Sequence, residues 1–175
     1  MVASDIGTFI VNKNDTGVGW QLSEYGSHDS HELKIIRDVM RTLKKTKPNL
    51  VAADVGANIG IHSVVLSSEV GEFGRVHAFE AQRIIFNMLA GNMALNSISN
   101  VHCFHQAVSD SVGFVDIPQF DYGKPLSFGS VEFGGIQHES IGQEPMHDPA
   151  RQEKVGTVTL DHLAFEQLDF LKIDV

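Results

Sequence analysis

A glycine turn between two carboxylates marks where this chain could do chemistry. In the heptapeptide Asp54, Val55, Gly56, Ala57, Asn58, Ile59, Gly60, an apolar run leads in and a helical pattern leads out. Leu50, Val51, Ala52 and Ala53 suit a buried parallel strand, while Ile61, Val64 and Val65 recur at helical spacing just after the turn. Gly56 and Gly60 would let the backbone take turn dihedrals and pass close to a ligand, and the helix N-terminus would offer it unpaired N–H groups. The next strand, expected over residues 75–79, ends in Glu80, twenty residues beyond Gly60. A carboxylate there can accept hydrogen bonds from ribose hydroxyls. It would also suit the N-terminus of the following helix, where Ile85, Met88, Leu89 and Met93 give an apolar stripe. Together these residues read as a nucleotide-side cofactor loop. The dinucleotide fingerprint would need a second glycine where Asn58 stands, which weakens an NAD-type oxidoreductase as the alternative.

Other reactive side chains give weaker signals. Nine histidines are present, with His28 and His31 three apart and His102 and His105 likewise. Residues three apart on a strand point to opposite faces, and the first pair straddles a helix start, so the reading assigns no metal site. His62 stands in the first turn of the helix after the glycine loop. Asp174 closes the last expected strand, over residues 168–175, as either an active-site carboxylate or a capping one.

Several blocks of the chain resemble the FkbM-type methyltransferases, in that family's order. They are DVGANIGIHS, GRVHAFEAQRIIFNML, NMALNSISNVHCFHQAVSD, VTLDHL and LDFLKIDV, with YGSHDSHE upstream, and they cover roughly residues 22–175. Ala81 departs from the family's usual proline after the acid, and Asn96-Ser97 from Asn-Gly. The resemblance implies an S-adenosylmethionine-dependent enzyme that methylates a hydroxyl oxygen of a small molecule or sugar. By the same resemblance Asp54 would face the amino-acid end of the cofactor, directly or through water. Gly56, Ala57, Asn58 and Gly60 would enclose it, Glu80 would hold the ribose, and Ala107 would meet adenine. Glu32 would reach the pocket as the family's upstream acid, and Asp174 would lie close to the methyl donor and stand by the acceptor. The family continues after Asp-Val with Glu-Gly and further strands, so the sequence reads as C-terminally incomplete. A nonenzymatic cofactor-binding remnant is therefore the second alternative.

The elements that must position these residues follow from pattern. The fold expected is α/β, a doubly wound and mostly parallel sheet of the class I methyltransferase (Rossmann-like) type. Residues 1–48 would supply a hairpin and a covering helix and residues 49–175 the cofactor-binding part, the whole forming one domain. The hairpin is expected from residues 8–11 and 18–22, flanking the turn-rich Asn12 to Gly17. A helix should start near Asp29 or Ser30, with Glu32 completing a capping box and Leu33, Ile36, Met40 and Leu43 on one face. The third parallel strand is placed at residues 101–105. Residues 123–152 read as an inserted loop or hairpin carrying Leu126, Phe128, Val131 and Phe133, a candidate for acceptor binding.

At 175 residues and 42% hydrophobic content the chain suits one domain with a sizeable core. A formal charge of −9 disfavours nucleic acid as the main partner. Lys44, Lys45 and Lys47 make the one tight basic cluster, at a helix end where cations complement the dipole. Cys103 is the single cysteine, which excludes an internal disulfide and points to a reducing compartment. No signal-peptide layout or membrane-length apolar run occurs, so a cytoplasmic protein with no membrane partner is expected. An edge left at the fourth strand would recruit another chain, which makes a homo-oligomer the expectation there.

Overall fold

The computed structural model describes residues 1–132, 140–144 and 152–175. A four-stranded parallel sheet lies at its centre, in the order β5 (Val101–Phe104), β4 (Arg75–Phe79), β3 (Val51–Val55), β9 (Phe170–Ile173). β3 and β4 are the inner strands and are rich in apolar residues because neither sits at an edge; Ala52, Ala53, Val76 and Ala78 are fully buried. α2 (Ser30–Lys44), α3 (Ile61–Glu69) and α4 (Arg83–Leu95) all contribute to the core cluster that includes Ala52, Val76 and Ala78. The opposite face presents Val55, Phe79 and Phe104, which meet Val158, Leu160, Leu163 and Phe165. β9 pairs with β3 alone among the described strands, and its Leu171 and Ile173 are exposed.

A second sheet of three strands stands beside the first, in the order β6 (Ala107–Val108), β8 (Glu153–Val158), β7 (Gly113–Ile117). Among the described residues no helix is long and apolar enough to cross a membrane.

The N-terminal expectation needs correction. The hairpin is made by β1 (Val2–Ser4) and β2 (Gly7–Phe9), and residues 18–22 lie in a helix, α1 (Val18–Tyr25). Val18, Trp20 and Leu22 alternate as a strand would, yet Trp20 is exposed while Leu22 is buried. The helix is instead set by its ends. Asp15 accepts the N–H groups of Gly17 and Gly19 at 2.9 and 2.8 Å, and Gly26, left-handed at φ 67°, donates to the carbonyl of Leu22 at 2.9 Å. Asn92 of α4 and Asn96 at its C-cap bind the backbone of Ile10 and Thr8, which ties this N-terminal segment to the sheet's covering layer.

α2 starts where expected but without the capping box. Asp29 is left-handed at φ 49° and makes no side-chain cap, and Glu32 turns toward His62. Of the inserted segment, Leu126 bridges Asp15 and Phe128 opens a 3-10 turn, so these residues do not form the expected hairpin. Phe133 lies outside the described residues. Lys47 does more than face a helix dipole: its Nζ lies 2.7 Å from Asp169, which also accepts the N–H of Val51 and a hydrogen bond from Gln167. Those contacts fix the start of β9 against β3.

Candidate active site

A cavity of about 660 Å³ opens at the carboxyl ends of β3 and β4, within the size range of sites that hold a cofactor-sized ligand. The loop after β3 forms one wall. Gly56 is left-handed at φ 73°, and a Cβ there would fall 1.9 Å from the backbone oxygen of Asp174. The glycine is thus required by the close approach of β9 as well as by the turn. Asn58 holds φ 50°, a conformation asparagine tolerates, and its own Oδ1 accepts the N–H of Ile59 at 2.7 Å. The missing fingerprint glycine is thereby replaced without a change of hand. Gly60, at φ 94°, is not on the cavity wall; a Cβ there would meet Met93 and Leu89 of α4 at 2.7 and 2.8 Å. Its role is to let α3 and α4 pack.

Glu80 faces that loop. One carboxylate oxygen accepts the N–H of Asn58 at 3.0 Å and the other the N–H of Gln82 at 2.7 Å. Burial nevertheless outweighs these bonds and pushes the Glu80 carboxyl up to about 7. The N–H of Ala81 also favours the charged form, and the two oxygens together keep lone-pair capacity for a ligand hydroxyl. Gln82 donates its amide to the carbonyl of Phe128 at 2.8 Å, and its Oε1 is buried without a partner among the described residues. Ala107, in β6, lines the cavity beside Gln106 and Val108.

The β9 side is organised by charge. The register sets Lys172 opposite Asp54, and on that shared face Nζ lies 3.4 Å from Asp54 Oδ1 and 3.4 Å from Asp174 Oδ2. Asp54 is wholly buried and stands behind the cavity wall. Its Oδ2 accepts a 2.6 Å hydrogen bond from Ser63, while Oδ1 has the ammonium nearby but no directed hydrogen bond. Asp54 therefore positions Lys172, which does line the cavity together with Asp174. Sequence reasoning passed over Lys172 because a lysine between apolar residues on a strand looks like an outward-facing one.

Glu32 is likewise off the wall, its Oε1 3.6 Å from Nε2 of His62, which is on it. His28, Asp29 and the segment Ser127 to Glu132 complete that side, so part of the inserted segment does face the cavity. Gly129 sits against Asn58, where a Cβ would lie 2.7 Å from its amide nitrogen. His102 and His105 do not converge: His102 stacks on His77, and His105 lies 3.0 Å from the carbonyl of Ala81 and stacks on Phe86.

A parallel sheet with a glycine turn and a strand-end acid at its carboxyl edge defines the α/β class of cofactor-binding domains. The family described as the methyltransferase FkbM domain matches residues 54–175. The chain belongs to the FkbM methyltransferase family, a family of S-adenosylmethionine-dependent enzymes. Comparison with curated proteins finds no match. Among solved structures, a SAM-dependent methyltransferase from Agrobacterium tumefaciens is 13% identical, with 43% of this chain and 24% of that chain covered and a TM-score of 0.36. A SAM-dependent methyltransferase from Aquifex aeolicus is 24% identical over 45% and 47%, with a TM-score of 0.33. A putative rRNA-methylase from Clostridium thermocellum is 23% identical over 41% and 40%, with a TM-score of 0.34. The chain thus spans less than half the length of these structures.

Proposed function

We propose that the cavity binds S-adenosylmethionine and that the protein passes its methyl group to a hydroxyl oxygen of a small molecule or sugar. The observation that carries this reading is Glu80, a buried carboxylate at a strand end, held by the N–H of Asn58 on the wall of a 660 Å³ cavity in a chain of this family. Bound there, the sulfonium supplies a methyl carbon with a neutral thioether as leaving group. Glu80 would accept the ribose hydroxyls with its free lone pairs. The backbone of Gly56 to Asn58 would close over the ligand, and Ala107 and Val108 would offer an apolar surface to the base. Asp174 would orient the acceptor hydroxyl or take its proton as the O–C bond forms and the C–S bond breaks. Lys172, anchored by Asp54, would hold the Asp174 carboxylate in place. The segment 127–132 would contact the acceptor, since loops at this edge of a sheet carry selectivity.

Calorimetry with S-adenosylmethionine, S-adenosylhomocysteine and NAD tests the binding step. The first two should bind and NAD should not; NAD binding with no response to the sulfonium would sink the assignment. With a verified acceptor, Asp174→Asn should lower transfer of labelled methyl by about a hundredfold or more. Unchanged turnover would reduce Asp174 to a structural role.

A further inference from the structure

We infer that Asp29, Glu32 and His62 form a site for one divalent transition-metal ion at the wall of the cavity. Asp29 immediately precedes α2, Glu32 lies in its first turn, and His62 comes from the first turn of α3. One ligand atom from each lies within 4.8 Å of the other two. Neither helix alone could assemble this set; the packing of α2 on α3 does so.

The imidazole is the informative member. The His62 side chain is 7% exposed, and its Nε2 has no hydrogen-bond partner among the described residues. It points at Glu32 Oε1 across 3.6 Å, beyond hydrogen-bond reach. Two ligands sharing an ion with bonds of about 2.1 Å are about 3.4 Å apart at a tetrahedral angle. The observed gap is therefore close to what an ion needs. An ion pair of protonated His62 with Glu32 is the competing account, but the 3.6 Å gap leaves Nε2 without the hydrogen bond that such a pair would make. A neutral ring is the form that binds a metal.

The surrounding charge fits a dication. Asp29, Glu32 and Asp54 face His62 with three negative charges against the single positive charge of Lys172. Asp29 already has Oδ2 2.8 Å from Nε2 of His28, which leaves its other lone pairs available. Because Asp29 and His62 form part of the cavity wall, the ion's remaining positions would face the cavity and accept an oxygen donor. An acceptor hydroxyl bound there would lose its proton to solvent more readily. That last consequence rests on the proposed methyl transfer; the metal site does not. An imidazole ligand favours later first-row ions such as cobalt and zinc over magnesium, calcium or manganese.

The test uses the whole chain with Co²⁺ and Mg²⁺ at about 0.15 M salt, which screens diffuse attraction to an acidic protein. One equivalent of Co²⁺ should bind, seen both by calorimetry and by visible ligand-field absorption, and Mg²⁺ should bind much more weakly. Glu32→Gln, Asp29→Asn and His62→Ala should each weaken Co²⁺ binding by at least about tenfold, the smallest loss typical even of groups that only support a metal ligand. Glu24→Gln, on the exposed side of α1, should leave it unchanged. Should His62→Ala fail to fold, the two exposed carboxylate variants decide alone. No binding, equal binding of Mg²⁺, or Co²⁺ affinity indifferent to Glu32 and Asp29 would overturn the site. All of this is measured without methyl donor, so failure of the methyltransferase reading would leave the result standing, and the reverse.

Discussion

Glu80 and Asp174 stand at the carboxyl ends of two strands of one sheet, with β3 between them, and they are held on different terms. Glu80 is 6% exposed and fixed by two backbone N–H groups that belong to neighbouring turns. The Asp174 side chain is 71% exposed, and its charged neighbour, Lys172, is itself held by the buried Asp54. One side of the cavity is built from backbone and so depends on local conformation. The other is built from a row of charges and depends on how β9 registers against β3. A cofactor common to a family suits the first construction; an acceptor that differs between members suits the second.

Removing Lys172 should break the charged side most severely. In Lys172→Met the Asp54 carboxylate keeps its Ser63 bond but loses the ammonium 3.4 Å from a wholly buried oxygen. Breaking one partner of a buried pair typically costs about 3 to 5 kcal/mol. Urea denaturation should report a loss of that order, and the double variant Asp54→Asn, Lys172→Met should recover part of it. A single variant as stable as the parent would mean that the row of charges is incidental.

Acidity should reveal the opposite cost on the backbone side. The folded-state pKa of Glu80 is about 7, above the ordinary value of 4.5. Between those values the folded protein holds a proton that the unfolded chain has lost, so this group lowers stability as pH rises from 4.5 to 7. The full effect is about 3 to 4 kcal/mol at about 1.4 kcal/mol per unit. Over the same window the carboxylate becomes charged, so affinity for a ribose-bearing ligand should rise with pH while stability contributed here falls. Denaturation midpoints and calorimetry across that range should diverge; parallel trends would contradict the assignment of Glu80.

Glu80→Ala sharpens the same point. Each charge-assisted hydrogen bond to a ribose hydroxyl is worth about 1.5 to 3 kcal/mol, so S-adenosylhomocysteine affinity should drop by about tenfold to a hundredfold. Folding should suffer less than binding, because the carboxylate removed is one that burial disfavours. Equal affinity in the variant would remove Glu80 from the cofactor site.

What the sequence disclosed follows the same division. β4 falls on residues 75–79 as expected, and Glu80 at its end is legible because buried parallel strands are short apolar runs and the acid follows directly. Lys172 was not legible: its role depends on the Asp54 to Lys172 register, which no local pattern encodes. The same holds for His62 with Asp29 and Glu32, which meet only through helix packing. α1 could have been found, since Asp15 and Gly26 are start and stop signals, but an alternating triplet of apolar residues outweighed them. Asp54 shows a different limit of local pattern. Its place in the motif is correct, and the structure turns it inward to serve Lys172.

Asp174→Asn should give the smallest change in the folded protein. The side chain is largely in water, and its pairing with Lys172 at 3.4 Å is screened, so the stability change should stay within about 0.5 kcal/mol. Cofactor affinity should shift by no more than about threefold, since the groups proposed to hold the cofactor are Glu80 and the loop after β3. A stability loss above about 1 kcal/mol would show that Asp174, and not Asp54, is the principal anchor of Lys172. In that event the cavity's charged side would be organised from its exposed end inward, and the contrast with Glu80 would reduce to a difference in burial alone.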